Sequence, residues 1–195
     1  MLTLALALAL QGCPQRIQVL APTARSTTAT LTVRECGKRV LGPWHVRLGR
    51  NGVSARHREG DGTTPTGTFG LGPVVYGIDP DPGVARRYHR LVCGDWWDED
   101  ARSPTYNTFR HVACGSSPPF GGGSEPLWRV PSAYRLFALI QYNVAPIVPG
   151  RGSGIFLHVD TGRATNGCVA LPLGELRAVL RRLQPGATIS IATTA

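Results

Sequence analysis

The apolar residues of this chain occur in short runs bounded by glycine and proline, and this pattern limits its possible folds more than any other feature. The sequence has 24 glycines and 16 prolines among 195 residues, and charged residues make up 17%. Both residue types interrupt helices and are common in turns, so the pattern favours a mainly β fold over a helical bundle. The length allows one sizeable core but not two ordinary domains with linkers, so we expect one domain.

Alternation of apolar and polar residues predicts strands at both ends of the chain. Residues 30–36 and 44–49 are predicted to form two early antiparallel strands. Further strands are expected at 68–71, 134–144, 155–159 and 187–192. Residues 172–183 carry leucine and valine at helical spacing between Pro172 and the Pro185-Gly186 pair, which predicts one short helix.

Residues 77–130 form a long excursion with few periodic signals. They contain three of the four tryptophans, together with Cys93 and Cys114, each of which is followed by glycine. Loops of this length in compact domains are usually functional, so we interpret the segment as a lid or wall beside a cleft. Cys93 and Cys114 are predicted to form a disulfide that closes the segment. The alternative is that both thiols are reduced and buried.

The first 13 residues have the character of an export signal. Their apolar run has the length of a signal-peptide core and is too short to span a bilayer. We therefore expect an exported protein of the cell envelope, periplasm or extracellular space, although the usual basic start is missing and a buried first strand is an alternative. Leu10-Gln11-Gly12-Cys13 also resembles a lipoprotein cleavage site, with an unusual Gln11, so membrane attachment through a lipid on Cys13 is a second expectation.

The net charge of +9 predicts affinity for a polyanion. Lys38 is the only lysine, and the arginines are scattered through glycine- and proline-rich sequence rather than collected with aromatic residues in one stripe. This distribution is not typical of a nucleic-acid-binding protein, so we expect no nucleic-acid partner. The chain has no CxxC pair or Cys/His cluster at the spacing of metal ligands, so we expect no metal and no cofactor.

Cys168 is the candidate nucleophile. The chain has five cysteines, and an odd count leaves at least one thiol unpaired if the others form disulfides. A cysteine is an effective nucleophile as a thiolate, which a neighbouring histidine promotes, and His158 is the nearest histidine. Gly167 leaves space and backbone N–H groups for a substrate carbonyl. The alternative is a buried thiol near a satisfied histidine, while the remaining histidines are interpreted as surface or packing residues: His45, His57, His89 and His111.

Three ordered blocks give the sequence a family resemblance. Residues 60–69 contain Thr-Pro-x-Gly-x-Phe, residues 154–158 form an apolar strand ending in His158, and residues 164–171 read Ala-Thr-Asn-Gly-Cys-Val-Ala-Leu. In these blocks the chain resembles the L,D-transpeptidase (YkuD-like) catalytic domain family, over about residues 30–195 and after a leader at 1–13. Residues 94–107, with tryptophan, acidic residues and a Tyr-Asn pair, are similar to a subgroup of that family.

The resemblance implies a β-sandwich or barrel-like sheet with one or two short helices and a long loop excursion. It implies that Cys168 is the nucleophile and His158 the base, and that the residues binding the oxyanion and substrate are Gly167, Asn166, Thr165 and Arg163. The implied activity is peptidoglycan cross-linking by acyl transfer from a stem tetrapeptide with release of D-alanine. The implied partners are stem peptides and carbapenem-type inhibitors, and the chain is expected to be a monomer. The alternatives are an L,D-carboxypeptidase, another wall peptidase of this fold, or a non-catalytic wall-binding domain.

The chain also departs from the family pattern. Asn166 stands where the family usually has histidine, Ala170 where it has arginine, and Val159 where a polar residue often follows the base. The interval between His158 and Cys168 is shorter than is common. His158 is then the base of the motif, its orientation must come from a backbone carbonyl or from Asp160, and recognition of a substrate carboxylate is in doubt.

Overall fold

The computed structural model describes residues 14–194. The predicted leader at residues 1–13 and the proposed lipid on Cys13 lie outside the described residues. In the described part of the chain, no helix has the length and apolar character needed to cross a membrane.

The main sheet of residues 14–194 has nine strands and closes into a barrel. The strands of the chain are β1 (Gln15–Ala21), β2 (Thr28–Glu35), β3 (Lys38–Arg47), β4 (Val53–Ser54), β5 (Thr64–Pro65), β6 (Gly67–Gly77), β7 (Arg87–Arg90), β8 (Asp95–Asp98), β9 (Thr108–His111), β10 (Glu125–Pro126), β11 (Phe137–Ile140), β12 (Phe156–Val159), β13 (Val169–Leu171) and β14 (Thr188–Thr193). Their order in the main sheet is β11-β12-β13-β3-β2-β1-β14-β6-β7, and β11 also pairs with β6, which closes the ring.

Alternating side chains build the barrel core. In β1 the residues Ile17, Val19 and Ala21 are fully buried while their neighbours are partly or fully exposed, as expected for a strand with one face in the core. β1 pairs parallel to β14 and antiparallel to β2, so it joins the two ends of the described chain. β1 is a strand that was not predicted from the sequence.

The single α-helix of the described residues, α1 (Leu173–Arg182), lies between β13 and β14. Leu176, Val179 and Leu180 are buried, and these residues recur at the spacing of one helical face. The predicted helix is confirmed, and so is the predicted class of a mainly β, barrel-like fold with a long excursion.

The predicted strand at 134–144 is shorter than expected. Only Phe137–Ile140 forms β11, and the chain turns afterwards at Asn143, which has a φ of 52°. The Asn143 side chain accepts the Val148 N–H at 2.8 Å and donates to the Gly152 carbonyl at 2.8 Å. Asparagine stabilises such left-handed turns through its own side-chain amide. The strand therefore ends before the apolar run of the sequence does.

The excursion carries a small sheet of its own. Strands β10, β8 and β9 form a three-stranded sheet in that order, followed by a 3₁₀ turn at Leu127–Arg129. Cys93 and Cys114 form a disulfide across β8 and β9, as predicted. The excursion is therefore a structured wall and not an irregular loop.

Candidate active site

A cavity of about 400 Å³ opens beside Cys168. The loop before β13 contributes Asn166, Gly167 and Cys168, and the excursion contributes Glu99 and Glu125. The excursion is held in this position by buried hydrogen bonds of Asn107, which accepts from the Trp97 indole at 3.0 Å and from the Gly154 N–H at 3.1 Å. The cavity therefore forms between segments that are far apart in sequence.

Cys168 is the free cysteine of the described residues, and it is partly exposed to the cavity. The Phe156 N–H donates to its sulfur at 3.3 Å, and the thiol donates to the Gly154 carbonyl at 3.3 Å. Burial raises the pKa of the Cys168 thiol well above its usual range, and the Glu125 and Glu99 carboxylates raise it further. The thiol is therefore protonated in the unliganded protein at neutral pH.

His158 lies on β12, next to the strand that begins directly after Cys168. Strands β12 and β13 are parallel, with His158 opposite Ala170, two residues beyond Cys168. His158 is buried and is not among the residues that line the cavity. The His158 Nδ1 lies 2.8 Å from the Val159 carbonyl, which can only accept, so Nδ1 carries the proton and Nε2 has the lone pair. Burial lowers the pKa of His158. The ring is therefore a neutral imidazole oriented by a backbone carbonyl.

Asp160 has a different partner. Its carboxylate accepts from the Arg47 Nε at 2.9 and 3.0 Å, and its Oδ1 accepts the Gly162 N–H at 2.7 Å. Of the two groups expected to orient His158, the Val159 backbone carbonyl is therefore the one that bonds to the ring. Ala170, at the position where the family has arginine, is fully buried opposite Arg47 of β3.

The loop before Cys168 is fixed by short contacts. The Thr165 hydroxyl donates to the Cys168 carbonyl at 2.7 Å and accepts the Gly167 N–H at 3.1 Å. Gly167 has a φ of 147°, and a Cβ at this position would lie 3.0 Å from the Thr63 carbonyl oxygen and 3.1 Å from the Ile155 Cδ1. This position favours glycine for both its backbone conformation and its lack of space.

The other two predicted binding residues occupy different places. Asn166 lines the cavity, and its side-chain oxygen accepts from the Arg50 guanidinium. Arg163 is exposed in the same loop and does not line the cavity. The structure therefore gathers Asn166, Gly167 and Cys168 at the cavity, while Thr165 and Arg163 are not among the residues that line it.

His57 is a cavity residue that the sequence analysis interpreted as surface or packing. It is buried, and its Nδ1 lies 3.1 Å from the Thr63 hydroxyl and 3.0 Å from the Asp61 Oδ1. Burial lowers its pKa, although the Asp61 and Glu59 charges oppose the shift. The sequence signal that could have identified His57 is its position directly before residues 60–69, the first block of the family resemblance.

Three glutamates on the cavity wall were also not predicted: Glu59, Glu99 and Glu125. Burial together with the charges of Glu125, Glu59 and Asp98 raises the pKa of Glu99 to about 9. Burial likewise raises the pKa of Glu125. The surroundings of Cys168 are thus acidic, in contrast to the basic surface of the whole chain.

A family model for the L,D-transpeptidase catalytic domain (YkuD) matches residues 20–191, and the chain belongs to this family. The chain is similar in structure to an L,D-transpeptidase (Yku) from Stackebrandtia nassauensis, with 16% identity and a TM-score of 0.43 over 94% of this chain and 56% of that one. It is also similar to the helical cell shape determining protein Pgp2 from Campylobacter jejuni, with 15% identity and a TM-score of 0.43 over 93% of this chain and 48% of that one. The chain thus spans about half the length of these proteins. No curated protein matches it by sequence.

Proposed function

We propose that this chain is a peptidoglycan L,D-transpeptidase in which Cys168 is the nucleophile and His158 the general base. The observation that carries the proposal is the position of Cys168, a free thiol that faces the cavity directly before β13, the strand that pairs with the His158 strand. Membership of the YkuD family supports the substrate class, peptidoglycan stem peptides. Neutral His158, with Nε2 unprotonated, is in the form that a general base requires.

In the first half of the reaction the donor is a stem tetrapeptide. His158 accepts the thiol proton as the Cys168 sulfur attacks the carbonyl of the third residue, and a carbon–sulfur bond forms. The developing oxyanion requires backbone N–H donors. The Gly167 N–H already donates to Thr165, so we assign this role to the Cys168 N–H. The amide bond to the terminal D-alanine then breaks, and the proton on His158 passes to the departing amine.

In the second half, an amine of a neighbouring stem attacks the thioester and forms the cross-link. Water in place of the amine makes the same site an L,D-carboxypeptidase. A wall-binding domain without catalysis is the alternative outside enzymology, since Asn166 and Ala170 replace residues usual in the family.

We also propose that the protein works outside the cytoplasm, at the cell envelope. The Cys93–Cys114 disulfide supports this location, because such bonds persist in oxidising compartments. The net charge of +9 suits an anionic wall. Export by the segment 1–13, lipidation of Cys13 and a monomeric state are parts of this proposal.

Release of D-alanine from a stem tetrapeptide tests the enzyme proposal. We expect the wild type to release D-alanine and Cys168→Ala to lose at least about 10³-fold in rate, since a covalent mechanism has no substitute nucleophile. Sedimentation with purified peptidoglycan is measured for both proteins in parallel. Turnover that is equal in the two proteins contradicts the cysteine mechanism. Binding of both to the wall with no turnover by either favours the binding domain.

A further inference from the structure

The cavity beside Cys168 is lined by three glutamates. Within residues 14–194, none of the ion pairs involves Glu59, Glu99 or Glu125. Arg50 lines the same cavity, but its guanidinium donates to the Asn166 side chain and to the Gly60 carbonyl at 3.3 Å. The cavity is therefore suited to a ligand that brings its own positive charge.

The three carboxylates differ in their hydrogen bonds. Glu59 accepts from the Tyr106 hydroxyl and, at 2.6 Å, from the Ser153 hydroxyl, whereas Glu125 accepts from the Tyr134 hydroxyl. In the described part of the chain no donor reaches the Glu99 carboxylate, although the Glu99 N–H is held by Ser124 at 3.0 Å. The Glu99 backbone is thus fixed while its carboxylate remains available to a ligand.

Glu99 and Cys168 meet at the same backbone residue. The Glu99 Oε1 lies so close to the Gly154 Cα that a Cβ on Gly154 would be 1.9 Å from it. The Gly154 carbonyl accepts the Cys168 thiol at 3.3 Å. A group bound by Glu99 therefore lies next to the atom that would carry the acyl group.

We propose that Glu99 binds the ammonium group of the acyl acceptor and removes its proton, so that the amine attacks the thioester on Cys168. This inference rests on the proposed function and assigns a residue to its second half. An acceptor amine is protonated at neutral pH and has no lone pair until it loses a proton. Glu99 lines the cavity, so it can take this proton when the acceptor binds.

The step is balanced in protons and bonds. As R–NH₃⁺ binds, Glu99 releases its own proton to solvent, and the ammonium then transfers one proton to the Glu99 carboxylate. The resulting R–NH₂ forms a bond from its nitrogen to the thioester carbon. The carbon–sulfur bond breaks, and the second proton passes from the nitrogen through His158 to the Cys168 sulfur. The product is an amide, the thiol is restored, and Glu99 is again protonated.

The chemistry of Glu99 is matched to this transfer. A carboxylic acid with its usual pKa is too weak a base to take a proton from an ammonium group efficiently. Burial and the neighbouring carboxylates raise the pKa of Glu99 to about 9, so Glu99 is protonated in the unliganded protein at neutral pH. An ammonium group that binds beside it favours its ionised form, and a pKa close to that of an alkyl ammonium then lets the ammonium proton pass to Glu99. Water as acceptor does not bring the positive charge that this wall accommodates, so Glu99 favours cross-linking over hydrolysis.

The test compares Glu99→Gln with wild type in a reaction that can end in either product. Each protein receives a stem tetrapeptide donor and increasing concentrations of an amine acceptor, and D-alanine, cross-linked product and hydrolysed tripeptide are quantified. We expect the ratio of cross-linked to hydrolysed product to fall at least about tenfold in Glu99→Gln, while D-alanine release remains. Glutamine keeps the shape and removes one of three mutually repelling carboxylates, so thermal unfolding is expected at the wild-type temperature or above it.

Hydroxylamine provides the matched control, because it is unprotonated at neutral pH and needs no base before it attacks. Glu99→Gln is expected to transfer the acyl group to hydroxylamine at the wild-type rate. An unchanged product ratio with an ammonium acceptor, or an equal loss with both acceptors, overturns the assignment of Glu99. Failure of the wild type to release D-alanine overturns the proposed function itself, and the inference with it.

Discussion

His158→Gln is expected to lower the rate of acyl transfer by about 10²–10⁴-fold without loss of the fold, because the variant has no base to take the thiol proton. The raised pKa of Cys168 makes this dependence strong, since the thiol is protonated at neutral pH. Burial lowers the pKa of His158, so the imidazole becomes protonated only at a pH below its ordinary value of 6.5. The acid limb of the kcat/KM profile for D-alanine release is therefore expected below that pH.

His45→Gln is the control for this variant, since His45 is exposed on β3 and does not line the cavity. Circular dichroism establishes that both proteins are folded. A rate for His158→Gln within about threefold of His45→Gln contradicts the role of His158 as base, since general-base catalysis contributes far more than this.

Gly167→Ala is expected to reduce both stability and acyl transfer. At a φ of 147° an alanine is strained, and its Cβ would press on the Thr63 carbonyl and the Ile155 side chain. Strain of this kind costs about 1–3 kcal/mol. The loop that holds Cys168 must shift to relieve the contact, and a displacement of about 1 Å at reacting atoms costs on the order of 10²-fold in rate. Urea unfolding and D-alanine release measure the two effects.

Gly174→Ala is the matched control, because it lies in α1 and a Cβ there meets nothing within 4 Å. Alanine in a helix is favoured over glycine by about 1 kcal/mol, so this variant is expected to be slightly more stable than wild type. A Gly167→Ala protein with wild-type stability and rate contradicts the tight packing of the loop.

Part of the barrel could be predicted because several of its strands carry a local pattern. Residues 30–36 and 187–192 alternate with period two, and β2 and β14 form there. The helix at Leu173–Arg182 was marked by its leucine spacing and by Pro185. In contrast, the end of β11 is determined by hydrogen bonds of Asn143 with residues further along the chain, which the apolar run at 134–144 does not reveal.

The candidate site could be predicted only in part, because a motif shows residues that are close in sequence. His158 and the loop from Thr165 to Cys168 form one such motif. Glu99 and Glu125 reach the cavity through the folding of the excursion, which depends on side-chain hydrogen bonds such as those of Asn107. Acidic residues in a glycine-rich segment resemble surface turns, so no local pattern indicates that they face the thiol.

The departures from the family motif have a structural context. Asn166 accepts from Arg50 at the rim of the cavity, while Ala170 is fully buried in β13. An arginine side chain at position 170 would require space that the core does not have. Together with the glutamates on the wall, this arrangement favours recognition of a cationic group beside Cys168.

Intact-protein mass spectrometry after incubation with a carbapenem reports on the Cys168 nucleophile without requiring the natural substrate. We expect a mass increase of one inhibitor per chain, located on Cys168 by peptide mapping and absent from Cys168→Ala. A wild-type protein that remains unmodified, or an adduct that persists in Cys168→Ala, would contradict the assignment of Cys168 as an activated nucleophile facing an open cavity.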